Sequence, residues 1–147
     1  VSRKFGKRLE GATARIIDKA EKRVKNLIGV TARAIIRQTP KDKGLLINNW
    51  YASKGNFPQG RTKSVDRSGK KSIARINKTV DSLKLGQTFY MANNLPYARV
   101  VEYGLYPNPP KNPTGKTVNG FSKQAPAGMV RINIRKLISK IRAGGAV

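Results

Sequence analysis

From Phe5 onward, apolar or small residues recur every three or four positions: Phe5, Leu9, Ala12, Ile16, Ala20, Val24, Leu27, Thr31, Ala34 and Ile35. This is the period of an α-helix with one buried stripe, which Ile17, Ile28 and Ile36 widen. The spacing predicts one helix over about residues 4–38, a rod of roughly 50 Å at the usual rise per residue. Such a rod is longer than a small domain is wide. Thr39-Pro40 ends the pattern, since the residue before a proline is pushed out of the helical region. Gly29 sits inside it and marks a kink, a close helix contact or a tolerated defect of about 1 kcal/mol. Asp18 with Lys22, and Glu21 with Lys25, are spaced for ion pairs one turn apart.

The remainder reads as shorter elements. "LLINNWYAS" begins as a helical turn and ends as a strand through Trp50. Ile73, Ile76, Val80 and Leu83 step as a short helix, and "LGQTFYMANN" reads as a strand with Phe89 and Met91 on one face and Tyr90 on the other. Pro96 suits the first turn of another helix, running through Val101 and closed by Gly104. Val130, Ile134, Leu137, Ile138 and Ile141 mark a C-terminal helix that stops at Gly144-Gly145. The expected fold is α+β in one domain spanning residues 1–147. It combines a long amphipathic N-terminal helix, a small antiparallel sheet, short helices and a C-terminal helix.

Two stretches look unable to pack alone: residues 54–72, and residues 104–126 with Pro107, Pro109, Pro110, Pro113 and Pro126. Loops this long are uncommon in compact domains. Only 38% of residues are apolar, so the core is expected to be modest. A chain with much loop and little core often relies on neighbouring subunits. Both loops are therefore expected to order on assembly.

Several kinds of chemistry are excluded by residue type. There is no cysteine and no histidine, which removes disulfides, thiolate metal sites and the Ser-His-Asp and Cys-His arrangements. The seven carboxylates are scattered without a spacing that would hold a metal. "TGKT" at 114–117 resembles the tail of a phosphate-binding loop, but the position that needs the first glycine holds Pro110 and no helix pattern follows. "NKT" at 77–79 is read as a chance match to a glycosylation acceptor. The expectation is a protein that is no enzyme and has no cofactor or metal. No membrane-spanning run or secretory stretch is visible, so a soluble cytoplasmic product is expected.

The formal charge is +24, from 31 Lys and Arg against 7 Asp and Glu. A charge of that size implies a polyanionic neighbour. Candidate contacts are Arg3, Lys4, Lys7 and Arg8 at the start, Arg67, Lys70 and Lys71 before the short helix, and Arg135, Lys136, Lys140 and Arg142 near the end. Each patch alone reads as a solvated face. Their sum asks for a partner, and any DNA contact would be salt-sensitive and blind to sequence.

The order of motifs resembles the tail-completion and head–tail joining (neck) proteins of tailed bacteriophages, the minor tail protein Z group among them. A long N-terminal helix ends in "TPKDKGLLINNW", where Pro40, Asp42, Gly44 and Leu45 match a Pro-x-Asp-x-Gly-x-Leu-like turn, with Trp50 after it. "NNLPYARVVEYG" follows, with Asn94, Pro96, Tyr97, Glu102 and Gly104 in the places of an Asn-rich corner, a Pro-Tyr-Ala and a Glu-x-Gly close. "GFSKQAPAGMVR" then leads through Pro126 and Met129 into the last helix. The resemblance covers roughly two-thirds of the chain, leaving out the two loops. It implies a virion structural subunit that forms a ring with itself, hexameric in the tail neighbourhood, and helps join the tail to the capsid. Its partners would be neighbouring neck, tail-terminator or tail-tube proteins, with genomic DNA passing and no membrane. It would be assembled in the host cytoplasm. The +24 charge departs from this picture. Docking onto acidic neighbouring rings, with DNA merely close by, is the favoured expectation, and a non-specific basic DNA-binding architectural protein is the alternative.

Glu102 is the last acid in the chain and stands between Val101 and Tyr103. It is expected either to pair with Arg99 one turn back, or to act as a structural clasp. As a clasp it would accept hydrogen bonds from the Asn93–Asn94 corner or a nearby basic group, while Tyr97, Val100 and Val101 pack inward.

Overall fold

In a computed structural model of the chain, which describes residues 2–144, the helix α1 (Ser2–Gln38) runs unbroken. It stops at Thr39, whose hydroxyl donates to the Ile35 carbonyl at 2.8 Å and accepts from Trp50 Nε1 at 2.8 Å. A 3₁₀ turn, Ile47–Asn49, leads into β1 (Trp50–Lys54). Then come α2 (Lys70–Asp81), β2 (Phe89–Asn93) and α3 (Ala98–Tyr103). A short ribbon of β3 (Thr117–Val118) and β4 (Phe121–Ser122) precedes α4 (Val130–Arg142). β1 and β2 pair antiparallel, Trp50 opposite Asn93 and Lys54 opposite Phe89. The fold is α+β, as the sequence patterns predict.

The core lies at the C-terminal half of α1. Ile36 shares one cluster with Ile47, Ile76, Val101 and Met129, all essentially inaccessible to solvent. α2 and α4 both run antiparallel to α1. Gly69, at the start of α2, lies against Ile36, while Lys25 Nζ reaches the Asp81 carbonyl at 2.9 Å at its end. Asn133 Nδ2 donates to Gln38 Oε1 at 3.2 Å, while Arg23 donates to the Gly144 carbonyl at 3.2 Å. Gly145, the expected end of α4, lies outside the described residues.

Of the stripe that the periodicity selects, only its last member, Ile35, is fully buried, and the packed face of α1 is turned away from the rest. Its buried residues are Gly29, Ala32, Ile35 and Ile36, on the side of the widening residues Ile28 and Ile36. Phe5, Leu9 and Ile16 are 66%, 57% and 69% exposed. Leu9 and Ile36 are 27 residues apart, about seven and a half turns, and so point to opposite sides of the rod. Among the described residues, the hydrogen bonds and ion pairs of residues 2–20 stay within the helix. The last tie to the body is Glu21, whose carboxylate accepts from Lys84 Nζ at 3.4 Å and from the Leu85 amide at 3.5 Å. About 28 Å of helix therefore stands clear of the body. Gly29 makes no kink: its missing side chain leaves room for the Arg33 guanidinium, which bonds Asn77 Oδ1 at 3.0 Å.

Other boundaries shift. Pro96 and Tyr97 form a turn ahead of α3 rather than its first residues, and Tyr97 is exposed instead of packed inward. α2 begins at Lys70 and fully buries Ser72, which shortens the first loop. That loop packs, contrary to expectation. Asn49 donates to the Thr62 carbonyl at 3.1 Å and accepts from its amide at 2.9 Å, Asn48 donates to the Ser64 carbonyl at 3.0 Å, and Asn94 donates to the Pro58 and Gly60 carbonyls. The second stretch holds the β3–β4 ribbon and buries Ala125 completely. On α4, Ile134, Ile138 and Ile141 of the apolar set are exposed.

Truncating Ile36 to Ala is expected to destabilise the body by about 2–5 kcal/mol, because the side chain is enclosed on all sides. Truncating Leu9 to Ala should change stability by less than about 0.5 kcal/mol. Urea unfolding of the two variants measures both, and equal losses would contradict a rod free of the body.

Candidate functional site

Glu102 is 7% exposed and sits on α3 facing the start of α4. Its Oε2 accepts from the Met129 and Val130 amides at 2.7 and 2.8 Å, and its Oε1 from the Arg131 amide at 2.9 Å and Arg131 Nε at 3.1 Å. Arg131 also donates to the Glu102 backbone carbonyl at 2.8 Å and lies over the Tyr103 ring at 4.5 Å. The first amides of a helix have no partners within it, and a carboxylate at that end also answers the helix dipole. The clasp reading therefore holds through its nearby basic group, Arg131, joined by three backbone amides instead of the asparagine corner. Arg99 reaches over Tyr103 instead of pairing with Glu102. The asparagine corner serves elsewhere: Asn93 donates to the Leu46 carbonyl at 2.8 Å, and Asn94 holds the first loop. Arg131, the basic partner, was not singled out by the sequence.

Burial pushes the Glu102 carboxyl up, but the amides of Arg131, Val130 and Met129 and the Arg131 guanidinium outweigh it. Its pKa lies below the ordinary 4.5. Gly104 closes α3 with φ 66°, and a Cβ there would come within 2.4 Å of the Phe121 ring, so the close approach of the ribbon to α3 requires glycine. Met129 is buried and Pro126 is exposed, bridged to Gly128.

The Pro40–Leu45 corner is a second node. Gly44 has φ 84°, and a Cβ there would lie 2.6 Å from the Arg67 amide nitrogen; its carbonyl accepts from the Asp66 amide at 3.0 Å. Asp66 in turn caps α2, its Oδ2 accepting from the Lys71 amide at 2.9 Å. The Lys71 amide and then the Ser68 hydroxyl hold its pKa below the usual carboxylate range. Asp42 pairs with Lys116 at 3.1 Å on the surface. Both line an open cleft of about 630 Å³ with Pro40, Tyr106 and Gln124. Thr117 begins a strand, not a helix, so "TGKT" lacks the setting of a phosphate loop. Leu45 and Trp50 both belong to the core's packing.

The candidate cations do not converge. Arg67, Lys70 and Lys71 lie beside the Ile36 end of α1. α4, carrying Arg135, Lys136, Lys140 and Arg142, ends beside Arg23, roughly 20 Å further along. Arg3, Lys4, Lys7 and Arg8 lie about 22–30 Å beyond that, on the free rod. There, Lys4, Lys7, Arg8 and Arg15 ring a shallow concavity over Gly11. A separate apolar groove of about 230 Å³ runs between α1, the sheet and α4, lined by Ile28, Phe89, Met91, Ile134 and Leu137.

No family model matches the chain, and no curated protein or solved structure matches it either. The geometry itself must therefore support any functional reading. Among the described residues, no three His, Cys, Asp or Glu side chains group to hold a metal, and no helix is long and apolar enough to cross a membrane. What is present is a clasped body, a free basic rod and two open surfaces.

Glu102→Gln is expected to lower stability by about 2–3 kcal/mol near neutral pH, since an amide cannot accept from all four donors. The folded form holds the Glu102 proton less tightly than the unfolded chain does. The stabilisation is thus present above pH 4.5 and is lost as pH falls through the lower folded value. Thermal unfolding across that range should show a steeper acid decline in the wild type than in Glu102→Gln. Parallel declines would remove the carboxylate from this role.

Proposed function

We propose that the protein is a structural subunit of a tailed-bacteriophage virion: a tail-completion or neck protein that forms a ring with itself at the head–tail junction. It would act without chemistry of its own and be assembled in the host cytoplasm. The observation that carries this reading is the division into a small clasped body and a helix that stands about 28 Å clear of it. A single-domain chain that exposes Phe5, Leu9 and Ile16 on such a projection is built to be completed by neighbours. The motif order described above supports the particular setting. In that setting the groove between α1 and α4 and the Asp42–Lys116 cleft are candidate contacts for further copies. Neighbouring neck, tail-terminator or tail-tube proteins would take other faces, and passing DNA would meet the cations without being read.

The charge of +24 and the concavity over Gly11 favour a second reading, a non-specific DNA-binding architectural protein. The spread of the cations along α1 counts against it, because a rod-like polyanion is held best by clustered charge.

Sedimentation of the purified protein over a range of salt, with and without duplex DNA, separates the two. The expected result is a discrete ring, or a monomer that ignores DNA at physiological ionic strength. Tight DNA binding that collapses as salt rises, with no defined oligomer, would replace the virion reading with the second.

A further inference from the structure

We infer that the free rod of α1 is a docking face for an acidic amphipathic helix of a different protein. The inference goes beyond the ring reading and holds whether or not the body assembles with itself. Residues 5, 9, 12, 16, 20, 24, 27, 31 and 34 recur at a mean step of about 3.6, the period of a straight helix, so they form one line along the rod. The core uses the other side, and the line is open over residues 5–16, where Phe5, Leu9 and Ile16 are exposed; Leu27, Thr31 and Ala34 further along are half-buried beside the body. Large and small residues alternate along part of it, as Leu9, Ala12, Ile16 and Ala20. A narrow line of this kind is the seam that one helix offers another.

The charges choose the partner. About a quarter turn from the line runs a row of cations, Lys4, Arg8, Arg15 and Lys19, on one flank only. The opposite flank carries Gly6, Glu10, Thr13 and Ile17, a single acid against four cations. A second copy would bring the same cations, in a chain of +24, against these. Duplex DNA would cover the cations and leave the apolar line in water. A bilayer would take a broader apolar face than this line provides. A helix with a leucine- or isoleucine-rich stripe beside a row of Asp or Glu satisfies both features at once.

The probe is a labelled synthetic helix of about 19 residues, the length of the free rod, with leucines at helical spacing and glutamates on one flank, beside a scrambled peptide of the same composition. Anisotropy should show the patterned peptide binding the full chain at least about tenfold more tightly than the scrambled one. Leu9→Ser with Ile16→Ser should abolish that preference. Arg8→Gln with Arg15→Gln should weaken the patterned peptide about tenfold at low salt. Both double variants should unfold like wild type, since residues 2–20 bond only within α1. Equal binding of the two peptides, or a preference that survives in the serine variant, overturns the proposal. So does stripe-dependent capture by phosphatidylglycerol vesicles in preference to the peptide, which would assign the face to a membrane. Stripe-dependent dimerisation of the wild type would assign it to a second copy.

Discussion

The body depends on one carboxylate accepting four hydrogen bonds. Met129 occupies the position before α4 where a serine, threonine or aspartate would ordinarily cap the helix. It is instead a core residue, buried against Ile36 and Val101. An apolar side chain can stand there only if the first amides of α4 are satisfied from elsewhere, and Glu102 does this from α3. Capping and core packing are thus assigned to two different residues, and the contact between them fixes α3 against α4. α2 follows a related plan: Gly69 stands at its cap position while Asp66, three residues earlier, accepts from the Lys71 amide. Since α2 and α4 flank the same half of α1, these two carboxylates set where the whole body sits on the rod.

The same economy shapes the field around the molecule. Asp18, Glu21, Asp42, Asp66 and Glu102 all meet a donor or cation of this chain. With 31 Lys and Arg against 7 acids, most of the basic side chains have no acid of this chain to pair with, and the net charge of +24 favours acidic partners. An acidic partner is drawn to every face, so charge alone gives attraction without register. Register has to come from shape and apolar pattern, which the rod supplies and the shallow cation row does not.

How much of this could be read from the sequence differs by the range of the forces involved. Helix α1, α2 and β2 were legible because their signals are local and periodic. The identity of the packed face of α1 was not. A helix with apolar residues on two sides shows which residues repeat, but not which side meets a body made of residues further along the chain. The loop over residues 55–69 was misread for a similar reason. It is held by Asn48, Asn49 and Asn94 through side-chain bonds to its backbone, and such bonds have no period and leave no compositional mark beyond the asparagines themselves. Glu102 stood out because it was isolated among apolar residues. Its partners lie 27 to 29 positions away and could not be named.

The rod has one further physical consequence. Starting a helix in water is the unfavourable step. Here α1 is already nucleated by its buried C-terminal half, so the projection needs only to propagate from a fixed end. Gly6 and Gly11 each weaken that propagation by about 1 kcal/mol relative to alanine. Gly11 also lies at the floor of the concavity between Lys4, Lys7, Arg8 and Arg15. Contacts along the line from Phe5 to Ile16 would stabilise the helix they dock against, so that binding and completion of the rod would be one coupled step running from the body outward.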